Sequence, residues 1–345
     1  MSNIKLGVTT HSYVAEWVDD KATLEDMVRH IAELGCDGME IVATSMFPEY
    51  PYVSDAYAGE IRRYAQDYGV KLVAVSGNMD RGKRKDRNLT DEEMLAVVIQ
   101  DLQNANKLEC PVLKSQFLIS PRVMQRAAKY AEFYGVKLTI EIHNPETPSS
   151  HIMTEYYNMF EETGSAYLGF VPDFGIFADR PNKADLNRAI ENGADRKIVE
   201  LATQLRYDGV SREEGRQILS AKNATPSEMN LFESMYGYMQ FSKNPDFDGL
   251  RKIMKYCPHM HGKFFEILDD GSEATIPYDK ILRVLDEEDY DGYVVSEFEG
   301  QIKPGRSSFD YVKPVSYTHL YCRDENLAWR GIQPPGRRTI SSVSG

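Results

Sequence analysis

Short apolar runs alternate with amphipathic segments along most of the chain, and the two kinds follow each other in a regular order. In the amphipathic segments, apolar residues return every three to four positions, which is typical of a helix with one buried face. The apolar runs between them are short enough to be β-strands. Eight runs fit this description: residues 4–10, 38–43, 70–78, 111–118, 136–144, 166–177, 259–267 and 292–300.

Strands that alternate with helices in this way predict an α/β fold, a (β/α)8 barrel of the TIM type. A joint of helix, glycine and strand recurs in "ELGCDGMEI", "DYGVKLVAV" and "FYGVKLTIE". An open doubly wound sheet is the alternative. It is less favoured, because "GVTTHSY" follows the first strand where that fold would carry a glycine-rich phosphate loop.

Residues 178–250 interrupt the alternation. They contain helical stretches, among them "KADLNRAIENG", "DRKIVELATQL" and "SREEGRQILSA", and no convincing strand. We interpret them as a helical insertion between the sixth and seventh strands of one barrel domain, residues 1–314. Such an insertion would cover the mouth of the barrel or bind a partner.

Residues 315–345 have a different composition, weak periodicity and no recognisable barrel helix after strand eight. Their first letters, "VSYTHL", are also what one frame of a common sequencing-transposon end would encode. Our hypothesis is that the native reading frame ends near Pro314. The C-terminus would then be truncated or atypical, and residues 315–345 would be a cloning or assembly artefact.

The bulk properties predict a cytoplasmic protein that binds neither membrane nor nucleic acid. No apolar run reaches the length of a membrane-spanning helix, and "MSNIKLGVTTHSY" does not resemble a signal peptide. The four cysteines are far apart, as expected of reduced thiols. The formal net charge of −13 argues against a nucleic-acid partner. The one dense basic run, "RGKRKDR", is interrupted by an aspartate and followed by "TDEE".

The stretch "KLTIEIHN" places a carboxylate and an imidazole at the end of a strand that is otherwise typical of a buried one. Alternate side chains of a strand share a face, so Thr139, Glu141 and His143 should point the same way. In a barrel of this type, the active site lies at the C-terminal ends of the strands. Glu141 and His143 are therefore candidates for functional residues.

The next three strands bring more acids and histidines to the same rim. The sixth ends with Asp173, the seventh carries His259 and His261, and the eighth ends with Glu297 and Glu299. Clustered carboxylates repel one another unless a cation lies between them. Carboxylate oxygens with one imidazole suit Mn²⁺, Mg²⁺, Zn²⁺ or Fe²⁺. The ligand set that we predict is Glu141, Asp173, His261 and Glu297.

The remaining polar residues of the rim have alternative interpretations. His259 shares a face with His261, so either is a candidate ligand; we prefer His261, which lies nearer the end of the strand. Glu299, His11 and Lys263 are candidates for contact with a substrate, as is His259. Lys263 would otherwise form an ion pair that lines the barrel, and His259 would otherwise be a packed structural residue.

The motifs "TIEIHN", "PDFGIF", "HMHGKF" and "YDGYVVSEFEG" resemble those of the xylose isomerase-like TIM barrels, the sugar phosphate isomerase/epimerase superfamily. The resemblance covers residues 4–300 apart from 178–250. It implies one divalent metal, Mn²⁺ first and Mg²⁺, Co²⁺ or Fe²⁺ as alternatives. The positions that match the family's ligands are Glu141, Asp173, His261 and Glu297.

Within that superfamily, "EIHNP", "HGKF" and "SEFEG" together with the insertion are most similar to the catalytic α subunit of bacterial C-glycoside deglycosidases. The resemblance implies a lyase that cleaves the C–C bond between a 3-oxo-glucosyl group and an aromatic aglycone. It also implies enediolate formation with His143 as the base, and a small β subunit as partner in a hetero-oligomer. The alternative is a metal-dependent keto-sugar isomerase or epimerase, or an inosose isomerase or dehydratase.

Two further classes are less compatible with the sequence. Metal-dependent endonucleases also occur in the superfamily, but the net charge of −13 and the single predicted ligand set argue against that activity. A binding subunit without catalytic activity would have no need of a complete ligand set.

Overall fold

Eight parallel strands form a barrel, as the alternation of the sequence predicts. The computed structural model describes residues 3–116, 119–268 and 271–312. The strands are β1 Lys5–Thr9, β2 Gly38–Val42, β3 Lys71–Gly77, β4 Val112–Ser115, β5 Lys137–Ile142, β6 Leu168–Pro172, β7 His259–Phe264 and β8 Tyr293–Phe298.

The strands follow one another in the order β6-β5-β4-β3-β2-β1-β8-β7, and every ladder between neighbours is parallel. The ring closes between β6 and β7 through one isolated bridge, which pairs Asp173 with His261. Two of the predicted metal ligands therefore meet where the barrel closes.

Helices connect the strands and cover the outside of the barrel. The α-helices are α1 Val14–Val18, α2 Leu24–Glu33, α3 Ala43–Met46, α4 Asp55–Tyr68, α5 Asp91–Lys107, α6 Pro121–Tyr134, α7 His151–Thr163, α8 Lys183–Glu191, α9 Arg196–Tyr207, α10 Arg212–Ala221, α11 Pro226–Ser234, α12 Phe247–Ile253 and α13 Tyr278–Glu287. Residues 308–312, the last of the described residues, are helical as well. The ends of the helices follow local chemistry. Thr23 and Thr90 form capping boxes at the starts of α2 and α5, and Gly69 and Gly135 end α4 and α6 in the left-handed conformation.

The alternation of side chains along β5 separates the hydrophobic core from the barrel interior. Leu138, Ile140 and Ile142 belong to the core cluster that the strands share with the surrounding helices. Thr139 and Glu141 are buried as well, but they lie among the polar residues of the interior. The predicted division of β5 into an apolar and a polar face is confirmed.

Helices α8 to α11 lie between β6 and α12, within the segment in which the sequence predicts helices without strands. Phe232, Met235 and Phe241 of this segment are buried, and they belong to the same hydrophobic core cluster as the barrel. The segment is tied to the barrel rim after α11, because the Asn144 side chain donates a hydrogen bond to the Tyr238 carbonyl oxygen at 3.2 Å. Gln240 Nε2 donates in turn to Asn144 Oδ1 at 2.9 Å.

Among the described residues, no helix combines the length and the apolar character that a membrane span requires. Cys36, Cys110 and Cys257 are buried. The cytoplasmic location stays a prediction. The hypothesis about residues 315–345 concerns a segment outside the described residues.

Candidate metal centre and proton-transfer site

Four strand ends bring the four predicted ligands together inside the barrel mouth. Glu141 lies on β5, Asp173 directly follows β6, His261 lies on β7 and Glu297 lies on β8. One ligand atom from each residue lies within 4.8 Å of those of the other three, and all four residues are buried. Active sites of such barrels lie at the C-terminal ends of the strands, and the four residues predicted from those ends are indeed close together in space.

Glu141 is held as a carboxylate by two cations. Lys114 Nζ on β4 donates a hydrogen bond to Glu141 Oε2 at 3.0 Å, and His261 Nδ1 lies 3.1 Å from Glu141 Oε1. Burial alone would raise the pKa of Glu141, but Lys114 and His261 outweigh it and lower that pKa to about 2. The oxygen that faces His261 is the one available to a metal.

Asp173 lies at a turn that its own side chain stabilises. Its Oδ1 accepts a hydrogen bond from the Gly175 backbone N–H at 2.6 Å, which starts the short 3₁₀ turn Phe174–Phe177. Gly175 is required here, because a Cβ atom would lie 2.9 Å from Asp173 Oδ1 and 3.1 Å from Lys263 Cδ. Burial raises the pKa of Asp173 to about 6, although the Lys263 cation 2.9 Å from Oδ2 opposes that shift.

The two nitrogens of His261 have different surroundings. Nε2 lies 3.0 Å from Oε2 of Glu40, whereas Nδ1 lies 3.1 Å from Glu141 and 3.2 Å from Glu297. Burial alone would lower the pKa of His261, but the carboxylates of Glu297 and Glu40 outweigh it and raise that pKa well above its ordinary value. By these distances, Nδ1 is the nitrogen that faces the candidate ligands Glu141 and Glu297, and Nε2 faces Glu40.

The chemistry of these donors fits a divalent cation. Asp173 Oδ2, His261 Nδ1 and Glu297 Oε2 are buried atoms without a hydrogen-bond partner. Buried polar atoms are normally hydrogen-bonded. The Lys263 ammonium, 2.9 Å from Asp173 Oδ2, compensates part of the negative charge, and a cation between the three atoms would supply the partner that they lack. Three carboxylates and one imidazole match the ligands of Mn²⁺ or Fe²⁺, and the oxygen-rich set also suits Mg²⁺.

His143 lies beside this centre, and the Lys263 ammonium links it to Asp173 and Glu297. Nδ1 lies 3.1 Å from the Asn144 carbonyl oxygen, which can only accept a hydrogen bond, so the contact assigns the proton to Nδ1. Nε2 then carries the lone pair, and Lys263 Nζ donates to it at 2.8 Å. In a neutral ring of this tautomer, Nε2 is the nitrogen that can accept a proton, once the Lys263 ammonium no longer donates to it.

Lys263 contacts the candidate base, two of the candidate ligands and the rim residue Glu299. Its ammonium lies 2.9 Å from Asp173 Oδ2, 3.0 Å from Glu299 Oε2 and 3.6 Å from Glu297 Oε2. Burial would lower the pKa of Lys263, but Asp173, Glu297 and Glu299 outweigh it and raise that pKa well above its ordinary value. The ion pair that lines the barrel is therefore present. Contact of Lys263 with a substrate stays a prediction.

The other candidates lie at different depths. Glu299 is partly exposed at the mouth, and His11 Nε2 lies 3.7 Å from its Oε1. His259 is fully buried below His261, where its Nε2 lies 2.9 Å from Glu40 Oε2. Glu299 and His11 are thus placed where a substrate can reach them, whereas His259 is enclosed. Substrate binding by these residues stays a prediction.

Sequence reasoning missed two charged residues beneath the centre, Glu40 on β2 and Lys114 on β4. Both are buried, and Lys114 Nζ lies 3.5 Å from Glu40 Oε1. The available signal was a single charged residue within an apolar strand, in "GMEIVA" and in "PVLKSQFL". Such residues are almost never buried unless they are paired.

Tyr238, in the segment after α11, forms one wall of the mouth. Its ring faces the His143 ring at a centroid distance of 6.0 Å and an interplanar angle of 26°. Its hydroxyl donates to Glu299 Oε2 at 3.3 Å. It also lines a cavity of about 200 Å³ together with Asn144, Phe265 and Glu299. An aromatic ring that is 61% exposed therefore stands next to the candidate base.

The family model for the xylose isomerase-like TIM barrel matches residues 28–314. A Microbacterium sp. protein named 3'-dehydrocarminate deglycosidase alpha subunit is 27% identical over 311 residues, which cover 86% of this chain and 88% of that protein. A Microbacterium trichothecenolyticum protein named C-glycoside deglycosidase alpha subunit is 29% identical over 307 residues, which cover 85% and 83% of the two chains.

Solved structures with the same fold include sugar epimerases. D-Psicose 3-epimerase from Clostridium cellulolyticum H10, solved with D-tagatose, aligns with a TM-score of 0.57 at 15% identity and covers 93% of this chain and 98% of its own. A 3-keto-D-glucoside 4-epimerase from E. coli aligns with a TM-score of 0.52 at 13% identity, covering 92% and 99%. At these identities the likeness establishes the shared barrel fold.

Proposed function

Since the chain belongs to the xylose isomerase-like TIM barrel family, we propose that it is the catalytic subunit of a metal-dependent C-glycoside deglycosidase. It would cleave the C–C bond between a 3-oxo-glucosyl group and an aromatic aglycone. The observation that carries the proposal is the meeting of four buried candidate ligands from four consecutive strands beside His143, whose Nε2 contacts the Lys263 ammonium that also contacts Asp173 and Glu297. The two relatives named deglycosidase alpha subunit supply the substrate class.

Glu141, Asp173, His261 and Glu297 would hold the cation, for which we propose Mn²⁺ with Mg²⁺, Co²⁺ or Fe²⁺ as alternatives. When bound, the cation supplies Lewis-acid stabilisation for negative charge on a sugar carbonyl oxygen. The deep placement of the ligands inside the barrel excludes much of the surrounding water, which strengthens every electrostatic contact there.

His143 would remove the proton from the sugar carbon between the 3-oxo group and C1, because Nε2 carries the lone pair of its ring. The Lys263 ammonium, which donates to that nitrogen at 2.8 Å, would have to give way to the substrate. The electrons of that C–H bond form an enolate. When the enolate collapses, a C1–C2 double bond forms, and the bond from C1 to the aglycone breaks. The aglycone carbon keeps that electron pair and takes up a proton. No oxidant is consumed, and the products are an unsaturated keto sugar and the free aglycone.

Lys263 would keep His143 in the required state. An ammonium that donates to Nε2 leaves the proton of the ring on Nδ1, where the Asn144 carbonyl accepts it. Its contacts with Asp173 and Glu299 fix the position of the ammonium, and with it the orientation of the imidazole.

We further propose that a second, smaller subunit assembles with this chain, since the relatives carry the name alpha subunit. The test uses purified protein, Mn²⁺ and a 3-oxo-C-glucoside in D₂O, with and without a candidate small subunit. Mass spectrometry of quenched samples follows free aglycone and deuterium in the sugar. Release of aglycone is the expected result; a rate that the small subunit does not change would contradict the partner.

A keto-sugar isomerase or epimerase is the second candidate, because the same base and ligands suffice for proton transfer next to a ketone. One of the fold neighbours carries the name of a 3-keto-D-glucoside epimerase. In the same experiment, deuterium in the sugar without any free aglycone would favour this activity. No change in the sugar and no aglycone would contradict both activities.

The aromatic wall of the mouth gives a separate prediction. Replacing Tyr238 by leucine is expected to raise the KM for an aromatic C-glycoside about tenfold, because the ring surface next to His143 is lost. Tyr238→Phe keeps the ring and should stay within about threefold of the wild type. Initial rates over a range of substrate concentrations measure both values.

Tyr207→Leu is the matched control, since Tyr207 is a partly exposed tyrosine of α9 in the same helical segment. It should leave KM unchanged. If Tyr238→Phe raised KM as much as Tyr238→Leu, the effect would come from the loss of the hydroxyl and its contact with Glu299, and the prediction about the aromatic ring would be wrong.

A further inference from the structure

Glu40 is a buried carboxylate that the proposed reaction does not use. It lies in the middle of β2 and is fully inaccessible to solvent. Taking a charge out of water without compensation costs several kcal/mol, so a carboxylate in such a position needs partners. The partners of Glu40 therefore indicate what it is for.

Both histidines of β7 share one oxygen of Glu40. His259 Nε2 lies 2.9 Å from Glu40 Oε2, and His261 Nε2 lies 3.0 Å from the same atom. A carboxylate oxygen accepts hydrogen bonds, so each Nε2 carries a proton. Lys114 Nζ lies 3.5 Å from the other oxygen, and Thr9 Oγ1 donates to that oxygen at 3.5 Å.

This arrangement decides which nitrogen of His261 is free. To bind a metal, His261 must be neutral; with its remaining proton on Nε2, its lone pair is on Nδ1, the atom that lies 3.1 Å from Glu141 and 3.2 Å from Glu297. Nδ1 is also a buried atom without a hydrogen bond. Without Glu40, the neutral ring would be free to place its proton on Nδ1 and close that position to a cation.

The group Glu40, His259 and His261 is not itself a suitable second cation site. The contacts of 2.9 and 3.0 Å are hydrogen bonds that occupy the Nε2 atoms and the shared oxygen. A cation there would have to remove both protons and would lie beside the Lys114 ammonium. The geometry suits the orientation of one ligand rather than the binding of another ion.

We propose that Glu40 is a positioning residue, which reaches across the barrel to fix the ring and the tautomer of the metal ligand His261. The proposal depends on the metal site and not on the lyase reaction. Partners of this kind, placed behind a ligand, typically change metal affinity about 10- to 100-fold. Glu40 should also influence Glu141, because Lys114 contacts both carboxylates.

The test measures Mn²⁺ affinity by competition with a chelator. Glu40→Gln should weaken Mn²⁺ binding about 10- to 100-fold, because the amide keeps the volume but lacks the charge that favours Nε2–H. Thr9→Val is the matched control: it changes a buried neighbour of the same carboxylate without touching a histidine, and it should stay within about twofold. Affinity of Glu40→Gln within twofold of the wild type would overturn the proposal.

A second measurement covers the case in which Glu40→Gln fails to fold. In the wild-type protein loaded with diamagnetic Mg²⁺ and with ¹⁵N-labelled histidine, the proton of His261 should be on Nε2. The signals of His261 are those that disappear in His261→Asn. A proton on Nδ1 would overturn the role of Glu40. Failure of the wild type to bind any divalent cation would instead refute the metal site on which the proposal depends.

Discussion

Replacing Glu141 by alanine is expected to abolish tight binding of a divalent cation. The variant removes one of four buried candidate ligands, and it leaves Lys114 with Glu40, at 3.5 Å, in place of its nearer partner at 3.0 Å. A buried ammonium next to the centre repels a second cation, so the loss should exceed that of a ligand alone. We expect the affinity for Mn²⁺ to fall at least about 100-fold. Even the loss of a residue that only hydrogen-bonds to a metal ligand typically lowers metal affinity about 10- to 100-fold.

Elemental analysis after dialysis against a defined trace of Mn²⁺ measures the occupancy. Glu162→Ala is the matched control, because Glu162 is an exposed glutamate of α7, and it should retain full occupancy. Thermal unfolding in the absence of metal checks that the Glu141 variant is folded. Full occupancy in a folded Glu141→Ala protein would contradict its assignment as a ligand.

A double variant separates the lost ligand from the unpaired cation. Glu141→Ala combined with Lys114→Met removes both members of the buried pair, so no uncompensated charge remains between them. Part of the lost affinity should return relative to Glu141→Ala alone. This non-additivity is expected for residues in direct contact, and additive losses would mean that Lys114 does not act through Glu141.

The barrel and the meeting of the four candidate ligands could be predicted because each depends on a pattern within one short segment. Alternation along "KLTIEIHN" separates Leu138, Ile140 and Ile142 from Glu141, and the structure has this division. Active sites of such barrels lie at the C-terminal ends of the strands. The corresponding polar residues of β6, β7 and β8 are Asp173, His261 and Glu297. No long-range contact had to be known for these steps.

Glu40 and Tyr238 could not be placed in this way, because their roles depend on pairings across the fold. Glu40 and His261 are 221 residues apart and meet inside the barrel. Tyr238 reaches His143 only because Asn144 anchors its backbone to the rim from 94 residues away. Local periodicity indicates that a residue is buried or exposed, but it does not identify a distant partner.

Replacing His143 by glutamine is expected to leave metal binding intact and to reduce turnover about 10²- to 10⁴-fold, the usual contribution of a general base. The side chain contributes no atom to the group of four ligands, so Mn²⁺ affinity should stay within about twofold. Lys263 loses one contact but keeps Asp173 and Glu299, which should preserve its position. Release of aglycone and exchange of the sugar proton with D₂O should fall together, since both begin with the same proton transfer.

The paired decrease is what identifies His143 as the base. If exchange persisted while aglycone release stopped, His143 would act at the later step, as the acid that protonates the aglycone. If both persisted, the base would lie elsewhere, with His11 at the mouth as the next candidate. His151→Gln serves as control, because His151 is an exposed histidine on α7. Partial recovery of His143→Ala by added imidazole would support proton transfer, since free imidazole can enter the space left by the ring and accept the proton in its place.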